Sequence, residues 1–385
     1  GKELKKKWMY ASTVKGQGAY GEGAHSLAVG DVDGDGCDEI VYGACCIDHD
    51  GSLLYRTGLG HGDALHLGDF IPDRDGLEVF MVHEEKSAAY GFEMRDACTG
   101  EILSGRKMGA DIGRGLCADI DSLSRGAEYW SLAKFNVTAD GKYNNITFDC
   151  NGDSISTRRP PVNFRTYWTG NLSEELQEKG IISQWVNKTS NCSTLTDFVS
   201  TYGCGVNLIK DTPSLQADIF GDWREECIYY DEATKSNLII FSTPFTSPYR
   251  VPCLMHDHIY RMSICWQNVA YNQPPHLGYY LRDYVKNQQS NPTGILQPSI
   301  TEEQSNIEIP FTLISEGIVI RYTDMNNTSC NIRVYSQDGL CVYHTTNKFQ
   351  GNGEIKLGAL EELKKGVYLL SVVADGVRTV RKIIR

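Results

Sequence analysis

Apolar residues in the first three-quarters of this chain come in short runs. Glu39-Ile-Val-Tyr42, Leu77–Val82, Cys227-Ile-Tyr-Tyr230 and Leu238-Ile-Ile-Phe241 are each bounded by Gly, Asp or Pro. Runs of that length between turn-forming residues predict strands, and their number predicts an all-β fold. One short helix is expected at Ser173–Lys179, with Ser173 as N-cap and Gln177 in the first turns. No apolar run is long enough to span a bilayer.

The polar positions between these runs repeat. An Asp leads, a turn follows, and a Glu stands just ahead of an apolar strand: Asp31 to Glu39, Asp69 to Glu78, Asp119 to Glu128 and Asp218 to Glu226. The first two intervals fall near the ~40–50 residues of a β-propeller blade, and the last is about twice as long. One unit is therefore expected to lack the phrase, with irregular insertions around 134–170 and 187–206. Such units cannot bury both faces alone and must stack on neighbours.

Alternating acids in a Gly-rich turn also suit a hard cation. Asp31, Asp33, Asp35 and Glu39 have the spacing of a calcium loop, though the loop is too short for an EF-hand. The pairs Asp69 and Glu78, Asp119 and Asp121 with Glu128, and Asp218 and Asp222 with Glu226 are candidate calcium ligands on the same pattern.

Residues 285–306 turn polar and rich in Asn, Gln, Ser and Glu. This places a linker at 291–306, between a repeat domain at 1–290 and a smaller domain at 307–385. The tail alternates again in Ile318–Tyr322, Asn331–Tyr335 and Gly366–Val373. About seven short strands in this span predict a small β-sandwich. Its end, Gly366-Val-Tyr-Leu-Leu-Ser-Val followed by Val380-Arg-Lys-Ile-Ile-Arg385, resembles the C-terminal sorting domain of type IX secretion cargo. That resemblance implies a secreted or cell-surface protein with the secretion machinery as a partner.

Composition narrows the choice of partner. The 385 residues are 41% hydrophobic and 22% charged, ordinary for a globular protein, with a net charge of −12. That balance argues against nucleic acid or an anionic membrane surface. The 13 cysteines contain no CxxC pair and no zinc spacing, so most are read as small buried residues. Asn-x-Ser/Thr sequons such as Asn136-Val-Thr matter only in a eukaryotic secretory pathway. The chain starts with Gly and shows no leader, and it reads as a fragment. A monomer is expected.

Chemistry-bearing residues outside the acidic turns form two sets. His25, His61, Asp63 and Glu84 lie in Gly- or acid-flanked segments of adjacent units, from which they can converge on a metal beside the acidic turns. Two imidazoles would favour Zn, Fe or Mn. Arg114, Lys210 and Tyr271 lie in Gly- or Asn-containing turns, where a cation can approach an anionic ligand. Alone, each reads as a surface residue. No Ser-His-Asp order, nucleotide loop or haem motif is present.

Together these segments resemble a known family. Asp31-Val-Asp-Gly-Asp-Gly, Gly58-Leu-Gly-His-Gly-Asp-Ala64, Phe80-Met-Val-His-Glu84, Gly113-Arg-Gly-Leu-Cys-Ala-Asp-Ile-Asp121 and Trp266-Gln-Asn-Val-Ala-Tyr-Asn-Gln-Pro-Pro-His276 are similar to the family 11 rhamnogalacturonan lyases. The resemblance covers residues 8 to about 285. It implies an eight-bladed calcium propeller, of which this chain holds the C-terminal part. It also implies cleavage of the rhamnose–galacturonate bond of rhamnogalacturonan I in pectin by calcium-assisted β-elimination. On this reading His25, His61, Asp63 and Glu84 hold a cleft calcium, which replaces the lean towards zinc. Arg114, Lys210 and Tyr271 are catalytic, and Asn207 and Asn272 contact substrate. Where the family tends to have Asn-Gly-Thr before the lysine, this chain has Asn207-Leu-Ile. Two alternatives stay open: a non-catalytic calcium-dependent glycan-binding propeller, and a glycoside hydrolase with paired carboxylates.

Overall fold

The structure is a computed structural model that describes residues 3–135, 146–207, 210–269, 271–290, 307–308, 318–336, 341–357, 363, 366–374 and 377–384. The Asn136 sequon, Leu208-Ile209 and the linker at 291–306 lie outside them. The chain divides into two compact units, Gly1–Asn291 and Pro292–Arg385.

The first unit is a succession of four-stranded antiparallel sheets. The first holds β1 (Ala28–Gly30), β2 (Glu39–Tyr42), β3 (Cys45–Ile47) and β4 (Leu53–Arg56) in chain order. The second holds β5 (Ala64–Gly68), β6 (Glu78–Val82), β7 (Phe92–Asp96) and β8 (Ile102–Arg106), and the third β9 (Gly115–Ala118), β10 (Glu128–Ser131), β11 (Thr147–Phe148) and β12 (Ser154–Ser156). The fourth holds β13 (Phe164–Thr166), β14 (Glu175–Glu178), β15 (Ile181–Val186) and β16 (Asn191–Asp197). After helix α1 (Phe198–Tyr202), a fifth sheet gathers β17 (Cys204–Gly205), β18 (Leu215–Ala217) and β20 (Leu238–Phe241) around β19 (Glu226–Asp231).

Four apolar clusters join one sheet to the next. Val41 and Cys46 pack with Leu65 and Met81, Phe80 and Phe92 with Cys117 and Tyr129, and Leu116 and Trp130 with Leu176 and Trp185. Ile182 packs in turn with Cys227 and Tyr229. Neighbour-to-neighbour burial is what stacked repeats require. The first strands of successive sheets, β1, β5, β9 and β13, lie beside one another.

Three expectations are corrected here. The spans around 134–170 and 187–206, expected as irregular insertions, supply β11 to β13 and β16, α1 and β17 in their described residues. The expected helix at Ser173–Lys179 is strand β14, paired with β13 and β15. The unit expected to lack the acidic phrase keeps its glutamate: Glu39, Glu78, Glu128 and Glu175 each open the second strand of their sheet, and Glu226 opens β19, the strand that follows the turn after β18. In that unit Tyr167 stands where the others have the lead Asp.

These glutamates are buried and tie down the turn before them. Glu78 Oε2 accepts from the backbone N–H groups of Phe70 and Ile71, and Glu128 Oε2 from those of Ile120 and Asp121. Glu175 Oε2 accepts from Trp168 and Thr169, and Glu226 Oε2 from Ile219 and Phe220. Glu39 Oε2 accepts from Val32. A buried carboxylate thus satisfies donors that the turn would leave orphaned.

Burial raises the pKa of Glu78 to about 7, of Glu128 to about 8 and of Glu175 to about 7. A carboxyl raised in the folded state stabilises the fold fully below its unfolded value and loses that contribution as pH rises through the folded value. Glu128→Gln imitates the protonated form. In chelator, it is expected to gain stability relative to the parent between a pH of about 5 and about 9. Thermal melts at several pH values check this, and a flat difference would contradict it. Glu128→Ala should cost roughly 2–4 kcal/mol, because one buried and one half-buried N–H group lose their acceptor.

Three of the lead aspartates, Asp69, Asp119 and Asp218, face the segment that follows the fifth sheet. It contains α2 (His258–Trp266), capped by Asp257, and α3 (Leu281–Ser290). Asp69 Oδ2 accepts from Tyr280 N, Asp218 Oδ2 from Leu254 N, and Asp119 pairs with Arg282 at 2.5 Å. Tyr167, in the unit without the aspartate, packs with Leu254, Tyr260, Leu277 and Leu281. The repeated turn therefore seats this helical segment against successive sheets.

In the second unit the described strands form one sheet. β21 (Ile307–Glu308) and β24 (Val367–Ala374) pair with opposite ends of β22 (Ile318–Ser336), β23 (Cys341–Leu357) pairs along β22, and β25 (Val377–Ile384) pairs with β24. The stretches Ile318–Tyr322 and Asn331–Tyr335, expected as two short strands, belong to one long strand. Its pairing with β23 is irregular between Tyr322 and Thr328. Ile320 and Met325 near one end of it share an apolar cluster with Ile332 and Val334 near the other.

Candidate active site

Strand direction fixes where the candidate residues lie. Asp63 directly precedes β5 and Arg114 directly precedes β9, whereas Glu84 follows the end of β6. The acidic turns follow those first strands instead, with Asp69 after β5 and Asp119 after β9. Five residues of strand separate the two ends by roughly 15 Å. The cleft set is therefore not beside the acidic turns, as expected from sequence, but at the opposite end of the strands.

There His25, His61, Asp63 and Glu84 come together, with one ligand atom from each inside a 4.8 Å group. Backbone contacts hold the loops in place. His25 N donates to Gly62 O, Glu84 N to His61 O and Tyr271 N to His25 O. His61 Nδ1 lies 2.6 Å from Gly23 O, which fixes that nitrogen as the N–H and leaves Nε2 as a lone pair, 3.9 Å from Glu84 Oε1. His25 Nε2 lies 3.6 Å from Asp63 Oδ1. Asp63 is buried and its Oδ1 has no hydrogen-bond partner. Burial and the neighbouring Asp63 carboxylate push the Glu84 carboxyl up. Two crowded carboxylates, an orphaned oxygen and an aimed imidazole nitrogen fit a cation.

The three other candidates converge on the same quartet. Lys210 Nζ donates to Asp63 Oδ2 at 3.3 Å and sits 4.3 Å from the centre of the Tyr271 ring. The Tyr271 ring lies 4.4 Å from that of His25. Arg114 is 4% exposed, and its guanidinium donates to Asn163 Oδ1 at 2.9 Å, to Asn163 O and to Asp63 O. Burial lowers its pKa to about 10.

Asn207 and Asn272 are placed differently from the rest. Asn207 closes a short bridge to Thr212, and the buried Asn272 donates its amide to Pro213 O. Both brace the loop that carries Lys210. Sequence reasoning missed Asn163, whose amide also donates to Glu178, and Gln273, whose side chain donates to Asp63 O. It also left unused His83, buried with Glu93 behind the Gly60 carbonyl. Gln273 adjoins the Tyr271-Asn272 pair, a signal the sequence offered; Asn163 carried none.

The acidic turns divide in the same way. Asp31, Asp33 and Glu39 form an all-oxygen group of potential ligands. Among the described residues, Asp69 with Glu78, Asp119 with Asp121 and Glu128, and Asp218 with Asp222 and Glu226 form no such group of three. Asp121 accepts from Leu123 N and Asp222 from Arg224 N, and the other carboxylates serve the hydrogen bonds given above, although Asp69 Oδ1 and Glu128 Oε1 remain unpartnered.

Comparison with known proteins places this arrangement. Rhamnogalacturonan endolyase YesW of Bacillus subtilis (strain 168) is 43% identical over 288 residues, 74% of this chain and 44% of that protein. Rhamnogalacturonan exolyase YesX of the same organism is 46% identical over 293 residues, 74% of this chain and 47% of that protein. The solved structure of Bacillus licheniformis rhamnogalacturonan lyase PL11 superposes with a TM-score of 0.66 at 46% identity, over 72% of this chain and 46% of that one. The chain thus spans about half the length of the curated relatives it matches. Residues 299–385 match the profile of the secretion system C-terminal sorting domain. Residues 1–291 match that of rhamnogalacturonan lyase family 11, C-terminal domain, and the chain belongs to that family.

Proposed function

We propose that this protein is a secreted or cell-surface lyase that cleaves the rhamnose–galacturonate bond of rhamnogalacturonan I by β-elimination, on a calcium-binding β-propeller of which these five sheets are part. The observation that carries the reading is the convergence of Arg114, Lys210 and Tyr271 on the quartet His25, His61, Asp63 and Glu84. All seven lie within the span shared with the lyases. Calcium is chosen on the family resemblance, since two imidazoles are softer donors than calcium usually takes.

The hard part of the reaction is the weakly acidic proton at C5 of the galacturonate. A cation held by the quartet would supply positive charge beside the uronate carboxylate. Arg114 adds a fixed charge that needs no reorganisation, because Asn163 and the Asp63 carbonyl already orient its guanidinium. Lys210 is assigned as base. Asp63 and the Tyr271 ring position its amino group beside the quartet. The C5 proton passes to Lys210, the C4–O bond breaks, and the electron pair forms the C4–C5 double bond. Tyr271, beside Lys210, gives its hydroxyl proton to the departing rhamnose oxygen. The two residues are close enough to exchange these roles.

Chelation tests the cation. Activity on rhamnogalacturonan I is expected to fall at least ~100-fold in EDTA and to return with Ca2+. His61→Ala should raise the calcium concentration needed for half-recovery. Activity indifferent to chelator would remove the cation from the mechanism. Binding with no cleavage under any condition would mark a glycan-binding module.

A further inference from the structure

The turn between β3 and β4 brings Asp48 and His49 against the first acidic loop. Glu39 Oε1, Asp48 Oδ1 and His49 Nδ1 fall within 4.8 Å of one another. His49 Nδ1 lies 2.7 Å from Asp48 Oδ1, 3.3 Å from Asp35 Oδ2 and 3.8 Å from Glu39 Oε1. All three of the grouped atoms are buried, and none has a hydrogen-bond partner despite these separations. Glu39 itself is fully buried, and its other oxygen is committed to Val32 N. Buried polar atoms that crowd at such distances with no hydrogen bond in line are left uncompensated. The turn is also fixed in advance. The Trp8 indole N–H donates to His49 O at 2.9 Å, and its ring covers Gly51 so closely that a Cβ there would lie 2.7 Å from it.

We propose that Glu39, Asp48 and His49 form a cation site of two carboxylates and one imidazole that takes a borderline divalent metal, with Zn2+ as its representative, in preference to Ca2+. Calcium prefers six to eight oxygens, whereas imidazole with carboxylate suits zinc and its neighbours. The all-oxygen group Asp31, Asp33 and Glu39 lies next to it and shares Glu39. The proposal rests on the reading of the first loop as cation-binding only through that shared residue. It assigns His49 a chemistry that sets this loop apart from the other acidic turns.

The test is calorimetric titration of the metal-stripped chain with ZnCl2 and, separately, with CaCl2, with tryptophan fluorescence followed for the Trp8 response. The cleft quartet also has imidazoles and remains in every protein compared, so the readout is a difference. His49→Ala is expected to lose one zinc equivalent, or at least ~10-fold in affinity for it, with the calcium isotherm unchanged. His49→Asp, which restores an all-oxygen set, should lose the same equivalent and retain or strengthen calcium. His49 is partly exposed, so neither change threatens folding. Zinc isotherms identical in parent and His49→Ala would overturn the proposal. So would parallel weakening of zinc and calcium, which would make His49 an accessory of a calcium loop. Zinc binding that depends on His49 in a chain that takes no calcium would support this site while refuting the calcium reading of the loop.

Discussion

Lys210→Ala is expected to lower kcat on rhamnogalacturonan I by ~10²–10⁴-fold, the range for loss of a positioned general base. The Michaelis constant should change far less, because the polymer contacts much more of the cleft than one amine. Lys210 donates to Asp63 and lies against Tyr271, so its removal leaves the quartet and the fold in place. It also frees the Asp63 carboxylate, so calcium affinity should hold or rise. A fall in activity through lost metal would give the opposite result. Chemical rescue separates the two candidate bases. Added primary amine should restore part of the activity of Lys210→Ala and none of that of Tyr271→Phe. Failure of the amine to restore any activity exchanges their roles, and full activity in Lys210→Ala removes the lysine from the chemistry.

Arg114→Ala should cost ~10²–10³-fold in kcat, comparable to removing one preorganised donor to a developing negative charge. The side chain is almost fully enclosed, and its loss also strands Asn163 and the Asp63 carbonyl. A drop in melting temperature is therefore expected along with the kinetic loss, and kinetics are compared only below the transition. Arg114→Lys keeps the charge but not the fork that reaches both Asn163 and Asp63, so it should recover little. Added guanidinium ion should restore part of the activity of Arg114→Ala and none of that of Lys210→Ala. Equal restoration in both would place Arg114 in a purely structural role.

Much of this organisation was legible in the sequence, and the failures have physical causes. The short apolar runs gave the strands because turn residues bound them on both sides. The cleft quartet was legible because His and Asp flanked by Gly recur at the strand boundaries of adjacent units. Ser173-Glu-Glu-Leu-Gln-Glu-Lys179 misled because its residues favour helix, while tertiary pairing imposes a strand that buries Leu176 on one face and sends Gln177 to Tyr229. That misreading hid Glu175, and with it the fifth copy of the turn. The double duty of the acidic phrase was also hidden. Spacing alone cannot distinguish a carboxylate that holds a cation from one that holds backbone N–H groups, and among the described residues the first acidic turn alone of the four has carboxylates that converge with other potential ligands. Nor does spacing tell which end of a strand a residue occupies, and so the cleft was placed on the wrong side of the acidic turns.

The products of rhamnogalacturonan I digestion test the central claim most directly. β-Elimination leaves a 4,5-unsaturated uronate at the new non-reducing end, one water lighter than a hydrolysis product, with a new ultraviolet absorbance. The account predicts that the chain releases such fragments, with absorbance rising in step with new reducing ends, and that Lys210→Ala and Arg114→Ala release few. Fragments that carry the full mass of hydrolysis, with reducing ends but no absorbance, would contradict it.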